Sequence, residues 1–230
     1  MTAHAAFWPQ RLPFAISPPV TSLWVNLEIS AKRYPDKLAL VFMGRTWTYA
    51  ELQYEAEKLA GYLATLGVCK GDRVVLNMQN CPQLVIAHFA ILRLDAVVVP
   101  VNPMNRMEEL KHYITDPDAR VAITTADLAP ELAGASDALA PEQQLRHLVV
   151  TQFTDVFDPV AAGPENLPAH WHDWLVPVRA LPALAHGQVH AWTQAVAQDL
   201  PLPAVTATSR EQLDDLYLAL TSHPMVKIVL

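Results

Sequence analysis

Residues 71–101 read Gly71-Asp-Arg-Val-Val-Leu-Asn-Met78, then Gln79-Asn-Cys-Pro-Gln-Leu-Val-Ile-Ala-His-Phe-Ala-Ile-Leu-Arg-Leu-Asp95, then Ala96-Val-Val-Val-Pro-Val101. Gly71-Asp72 is turn chemistry, and Arg73 to Met78 reads as a strand whose middle is apolar on both faces. Asn80 is expected to cap a helix running through Pro82, Leu84, Val85, Phe89, Ile91 and Leu92, apolar nearly all round and so buried. Ala96 to Val101 is a second strand without polar alternation. Strands apolar on both faces need cover on both faces, and a helix between two such strands returns the chain in parallel.

The same pattern extends outward. Upstream, Leu23, Leu27, Ala31 and Tyr34 form one stripe of a helix that Pro35 ends. Leu38 to Phe42 and Thr46 to Tyr49 read as two short strands around Met43-Gly44-Arg45. Thr48 and Glu51 form a capping box opening a helix with the apolar face Leu52, Ala56, Leu59, Ala60, Leu63 and Leu66, stopped by Gly67. Downstream, Asn105 and Glu108 make a second capping box, Ala119 to Thr124 a third core strand, and Leu148 to Val150 a fourth. The expected fold class is α/β: a layered, mostly parallel sheet with helices on both faces. A Pro-rich stretch, 159–203, holds seven prolines and four charges, Glu165, Asp173, Arg179 and Asp199. Its prolines suit surface coil, whereas Trp171, Trp174 and Trp192 suit packing, so ordered wrapping and loose excursion both stay open.

At 230 residues and 52% hydrophobic, the chain is long enough for one large domain or one and a half, burying roughly 70% of its unfolded surface. Sixteen basic against 23 acidic residues leave a net charge of -7, so no basic field draws it to nucleic acid or anionic lipid. Cys69 and Cys81 are too few for a disulfide framework and lack metal or redox spacing, which suits a reducing compartment. Residues 1–19 hold no continuous apolar core, being interrupted by Pro9, Pro13 and Pro18, and no run of about 18 apolar residues occurs. The expectation is a cytoplasmic protein with no transmembrane segment.

Candidate chemistry is sparse. Gly61, Gly67 and Gly71 fit neither dinucleotide nor P-loop spacing, and only three glycines follow Gly71, which excludes a conventional phosphate cradle. No Gly-x-Ser-x-Gly elbow exists. His170 and His172 beside Asp173, and His186 and His190 at i, i+4 if a helix starts there, could supply metal ligands. A zinc site needs three or four, and no third partner is anchored, so surface histidines are the favoured reading. His88 and His112 read as packed or rim residues. Cys69 sits at a helix-to-strand turn and Cys81 at a helix N-terminus, where a thiolate is stabilised; without a Cys-His-Asp order, both read as buried inert thiols.

A resemblance adds to this. Ser22-Leu-Trp-Val-Asn-Leu-Glu28, Arg33-Tyr-Pro-Asp-Lys37, Trp47-Thr-Tyr-Ala-Glu-Leu52, Leu66-Gly-Val-Cys-Lys-Gly-Asp-Arg-Val74, Gln79-Asn-Cys-Pro-Gln83, Phe89-Ala-Ile-Leu-Arg93 and Val97-Val-Val-Pro-Val-Asn-Pro103 resemble, in order and spacing, the adenylate-forming acyl-CoA synthetases of the long- and medium-chain fatty-acid–CoA ligase type. The likeness implies the N-terminal part of an AMP-binding large domain over 21–230, with 1–20 as an extension. For full-length members it implies a two-step reaction with ATP, Mg2+ and coenzyme A. A fatty acid or other carboxylate attacks the α-phosphate to give an acyl-adenylate and pyrophosphate, and the coenzyme A thiolate then displaces AMP. Their phosphate loop has the form T-S-G-T-T-G-x-P-K-G.

Here Asp214-Asp-Leu-Tyr-Leu-Ala-Leu220 resembles the lead-in to that loop, and Thr221 and Ser222 match its first two residues as a remnant of the ATP site. His223-Pro-Met-Val-Lys-Ile-Val-Leu230 then carries no glycine and lacks the positive-φ freedom such a loop demands; Lys227 does not fit the loop's lysine. Three readings follow. The first is an N-terminal portion of a fatty-acid–CoA ligase, truncated and inactive alone, with no catalytic residue of its own. The second is a non-catalytic acyl-binding or interaction module that pairs with a separate second half or self-associates through exposed sheet edges. The third, and least favoured, is an α/β metalloenzyme using His170, His172, His186 and His190.

Overall fold

A computed structural model describes residues 21–203. Helix α1 (Trp24–Arg33) buries Trp24, Leu27 and Ala31. Strands β1 (Leu38–Phe42) and β2 (Arg45–Thr48) form an antiparallel hairpin. Met43 (φ 47°) and Gly44 (φ 80°) both lie in the left-handed region, as a right-twisting two-residue hairpin turn requires. Helix α2 (Tyr49–Thr65) opens with the expected capping box: Glu51 N donates to Thr48 Oγ1 at 3.2 Å and Thr48 N to Glu51 Oε2 at 2.8 Å. Gly67, at φ 89°, turns the chain out of its C-terminus.

The main sheet is built from β3 (Arg73–Asn77), β4 (Val97–Val101), β5 (Val121–Thr125), β6 (His147–Thr151) and β7 (Gln188–Ala191). The strands lie parallel in the order β4-β3-β5-β6-β7. Successive side chains on a strand point to opposite faces, and both faces here are apolar. Val74, Leu76, Ile123 and Val149 join α1, α2 and α3 (Pro82–Arg93) in one core. Val75, Val101, Ala122, Leu148 and Val150 join α4 (Met107–Thr115) and α5 (Ala129–Asp137) in the other. The α/β expectation, a parallel sheet with helices on both faces, therefore holds.

Several local expectations are corrected. Val97 to Val101 is the sheet's edge rather than a doubly buried strand: Val97 is 47% exposed, and Pro100 is the kind of residue that edge strands tolerate. Helix α3 is capped at Cys81, in extended backbone, and not at Asn80. In α4 the capping position is Arg106, whose N–H donates to Glu109 Oε2 at 2.9 Å, one residue beyond the expected Asn105 and Glu108. The expected helix start between His186 and His190 is strand β7, in which Val189 pairs with Leu148 and His190 with Val149.

The Pro-rich stretch is ordered. Helix α6 (Pro159–Asn166) breaks at Gly163 (φ 68°), and α7 (Ala169–Leu175) and α8 (Trp192–Ala195) follow. Ala162, Leu167, Leu175 and Trp192 complete the core beneath α2, and Trp174 packs on Phe153 with ring centroids 5.0 Å apart. Gly187, just before β7, fits only as glycine: a Cβ there would lie 2.6 Å from Leu145 O and 2.9 Å from Arg146 O.

Gly61, inside α2, is a second such point, where a Cβ would meet Leu200 O at 2.6 Å. Alanine normally stabilises a helix interior by about 1 kcal/mol over glycine. Gly61→Ala is nevertheless expected to destabilise the protein by about 1–3 kcal/mol through overpacking; urea denaturation reads the sign, and a gain in stability refutes the contact.

Candidate functional site

Open parallel sheets hold ligands beyond the carboxyl ends of their strands, and here those ends are polar. Asn77, Thr124, Thr125 and Thr151 terminate β3, β5 and β6 with almost no exposure. Gln83, in the first turn of α3, donates from Nε2 to Thr151 Oγ1 (3.2 Å) and to Gln152 O (2.9 Å). Asp155 Oδ2 accepts from Thr151 Oγ1 (3.1 Å) and Gln152 N (2.8 Å). Gln152 Oε1 in turn accepts from Arg179 N at 2.7 Å, tying the Pro-rich segment to the rim. Burial pushes the Asp155 carboxyl up from its ordinary range, opposed by those two donors.

Asn77 Oδ1, Gln83 Oε1, Thr125 Oγ1 and Asp127 Oδ1 are buried with no hydrogen-bond partner among the described residues. Unsatisfied acceptors in a native structure mark places where a donor or water belongs. None of these residues is cationic and Asp127 is a carboxylate, whereas a triphosphate needs dense, positively charged donors. The described rim therefore does not fit the phosphates of ATP, and no catalytic step is derived through them.

Beside the rim, a cavity of about 280 Å³ is lined by Arg45, Tyr54, Glu55, Lys58, Asp155 and Trp192, among others. Glu55 Oε1 accepts from Trp47 Nε1 (3.1 Å) and Arg45 Nη2 (3.0 Å). The Arg45 guanidinium lies 4.4 Å from the centroid of the Trp47 ring and donates from Nη1 to Val156 O at 2.8 Å. Burial raises the Glu55 carboxyl, against the pull of Trp47 and Arg45. Tyr54 donates its hydroxyl to Asp199 at 2.9 Å, and Lys58 lies 3.9 Å from the same carboxylate. Each charge meets a partner, so the cluster fastens the hairpin to α2 and the chain after β6.

The sequence candidates scatter. Thr221, Ser222 and Lys227 lie outside the described residues. Cys69 is exposed rather than buried; its sulfur sits 3.2 Å from Asp72 Oδ2, and that bond and charge push the thiol up. Cys81 is buried, which pushes it to about 11 despite its place at the N-terminus of α3. Neither is an activated thiolate. His88 is half-buried against Phe89, and desolvation lowers it. His112 lies in the last turn of α4. His170, His172 and Asp173 sit on α7, away from β7 in the chain, and no group of three His, Cys, Asp or Glu among the described residues is placed to hold a metal ion. His190 engages Tyr62 Oη at 2.8 Å and His147 at 3.1 Å. His147 escaped sequence reading because only the β6–β7 pairing brings it near His190.

Comparison with known proteins places this scaffold. A family model described as AMP-binding enzyme matches residues 27–217. The chain belongs to the AMP-binding enzyme family. This AMP-binding chain is 32% identical over 204 residues to a long-chain-fatty-acid–CoA ligase of Salmonella typhimurium, covering 84% of the chain and 36% of that protein. A long-chain-fatty-acid–CoA ligase of Bacillus subtilis is 36% identical over 126 residues, covering 55% of the chain and 22% of that protein. Among solved structures, a Mycobacterium tuberculosis fatty acyl CoA synthetase superposes with a TM-score of 0.52 at 28% identity, over 56% of this chain and 26% of that one. The AMP-binding chain thus spans about a fifth to a third of the length of these curated relatives.

Glu55→Gln keeps an acceptor for Trp47 Nε1 and removes a buried charge, so a change within about 1 kcal/mol is expected. Glu55→Ala leaves the buried Trp47 Nε1 without its acceptor, with a loss of about 1–3 kcal/mol, while Arg45 keeps Val156 O and solvent. Because the folded-state carboxyl is raised, the wild type loses stability as pH climbs through the window above the ordinary glutamate value, and Glu55→Gln flattens that slope. Denaturant melts of the three proteins across the acid range check all three outcomes.

Proposed function

We propose that the chain is the N-terminal layer of the large domain of a fatty-acid–CoA ligase, cytoplasmic, with residues 21–230 in that domain and 1–20 as an extension. In the complete enzyme the reaction is ATP- and Mg2+-dependent adenylation of a carboxylic acid followed by thioester formation with coenzyme A. The carrying observation is the family match over 27–217, supported by 32% identity across 204 residues to a protein named as such a ligase. The residues described here do scaffold work: α2, α3 and the parallel sheet fix a polar rim, and the hairpin is bolted on through Arg45, Trp47 and Glu55. The rim residues named above include no cation and carry the carboxylates of Asp127 and Asp155, and the stretch after Thr221-Ser222 has no glycine. The chain by itself is therefore proposed to be inactive.

Incubation with ATP, magnesium and fatty acids of graded length, followed for pyrophosphate release, tests this. No release above buffer is expected, whereas sustained turnover overturns the inactive reading.

A second reading, pairing with a separate partner or with another copy, rests on β4. Among the described residues this strand has β3 as its single neighbour and leaves Val97 exposed, and open edges invite pairing. Gel filtration over a concentration series is expected to show association; a monomer throughout the series counts against it.

A further inference from the structure

Three side chains from three elements form one hydrogen-bonded chain on the α2 side of the sheet. Tyr62 on α2 lies 2.8 Å, hydroxyl oxygen to ring nitrogen, from Nδ1 of His190 on β7. His190 Nε2 lies 3.1 Å from Nδ1 of His147 on β6. Tyr62 meets His190 edge-on with ring centroids 5.7 Å apart, and the His190 and His147 rings are tilted at 41° with centroids 5.3 Å apart. All three are partly buried.

Donor bookkeeping permits two fully bonded neutral arrangements through this chain, of opposite polarity. In one, the Tyr62 hydroxyl donates to His190 Nδ1 and His190 Nε2–H donates to His147 Nδ1, so both imidazoles carry their proton on Nε2. In the other, His147 Nδ1–H donates to His190 Nε2 and His190 Nδ1–H donates to the Tyr62 hydroxyl oxygen, so both carry it on Nδ1. One added proton is accommodated, because a charged His190 donates from Nε2 to His147 Nδ1 and from Nδ1 to the Tyr62 hydroxyl oxygen. A second proton sets N–H against N–H, and charge against charge, across the 3.1 Å between the two rings. We propose that Tyr62, His190 and His147 form a proton-released clasp that holds β7 on the sheet edge while at most one imidazole is charged and lets it go when both are.

The surroundings agree. His147 is followed from Arg146, whose charge lowers it, and lines a cavity of about 380 Å³ with Arg73, Arg120, Asp72 and Asp118. Asp118 is committed to Arg120 at 2.6 Å and Arg73 at 3.6 Å, and Asp72 to Cys69. On α2 the facing group is Tyr62, and among the described residues neither imidazole has a carboxylate within ion-pair distance. Desolvation is the first cause holding both histidines below their ordinary value, with Arg146 adding to it at His147 and His147 adding to it at His190.

The sign follows: the unfolded or undocked state binds more protons, so the clasp is fully made above the ordinary histidine value of about 6.5 and weakens as pH falls below it. Release matters beyond β7. Trp192, the first residue of α8, follows β7 directly and lines the cavity beside Asp155, so full protonation of the clasp loosens the wall of the rim cavity. This inference does not depend on the ligase reading.

The test uses the full chain. At pH 7.5, long-range proton–nitrogen NMR correlations are expected to show His190 and His147 neutral and in the same tautomer, both protonated on Nε2 or both on Nδ1; opposite tautomers on the two rings overturn the proposal. Hydrogen exchange over 188–196, corrected for intrinsic rates, is expected to rise between pH 7.5 and about 4.5, by at most about tenfold per pH unit for each linked proton. Tyr62→Phe, which removes one of the two bonds, should raise exchange of this segment already at pH 7.5, and the double variant His147→Gln with His190→Gln should abolish the pH-dependent rise. A rise of the same size in the double variant, or none in the wild type, refutes the clasp. The wild-type tautomers decide the matter even if a variant fails to fold.

Discussion

The rest of the structure depends on one constraint: the sheet has no wet face. Val74 and Leu76 point into one core while Val75 points into the other, so each central strand must be sandwiched. Parallel strands buried on both sides need helical crossovers, and this requirement positions α2 and α3 on one face and α4 and α5 on the other. The same constraint leaves the strand termini as the place where polar side chains collect. Asn77, Thr125 and Thr151 sit where three buried strands stop, and the chemistry of the rim reflects that crowding.

Much of this architecture was legible in the residues. Periodicity and the Thr48–Glu51 box set out α2 because helix signals are local: a cap, a stripe and a terminal glycine all lie within one segment. The central strands β3, β5 and β6 were legible as apolar runs without alternation. Whether such a run lies in the middle of a sheet or at its edge is not local information, which is why Val97 to Val101 read as fully buried. Cap positions off by one residue, Asn80 for Cys81 and Asn105 for Arg106, show the same limit at smaller scale, since several neighbouring residues present plausible cap chemistry. The segment 159–203 was the least readable. Its prolines argue for coil one by one, yet Val189 and Ala191 align on β6 and Trp192 packs into a core that only the tertiary fold creates.

The site divides the same way. The family resemblance carried by Trp47 to Leu52, Leu66 to Val74 and Val97 to Pro103 agrees with the family match, whose span of residues 27–217 contains all three stretches. The acceptor-rich rim and the Arg45–Trp47–Glu55 fastening were invisible in sequence. Each joins residues far apart in the chain, such as Arg45 to Val156 and Gln152 to Arg179, and no spacing rule anticipates such pairs. The candidates that did stand out in sequence, the cysteines and the paired histidines, come apart in the fold: Cys81 is buried, Cys69 is engaged by Asp72, His190 is engaged by Tyr62 and His147, and His170, His172 and His186 are exposed.

Gly187 has a further consequence. Hemmed in by Leu145 O and Arg146 O, this position acts as a steric filter on alignment. A slip of β7 by one place would drive the side chain of His186 or Gln188 into those carbonyls, and would also swing His190 to the opposite side, out of reach of Tyr62. The strand thus has a single seat. A segment that detaches can find its way back without competing registers, so this portion of the molecule behaves as a latch with one catch and not as a tape that can be laid down at several offsets.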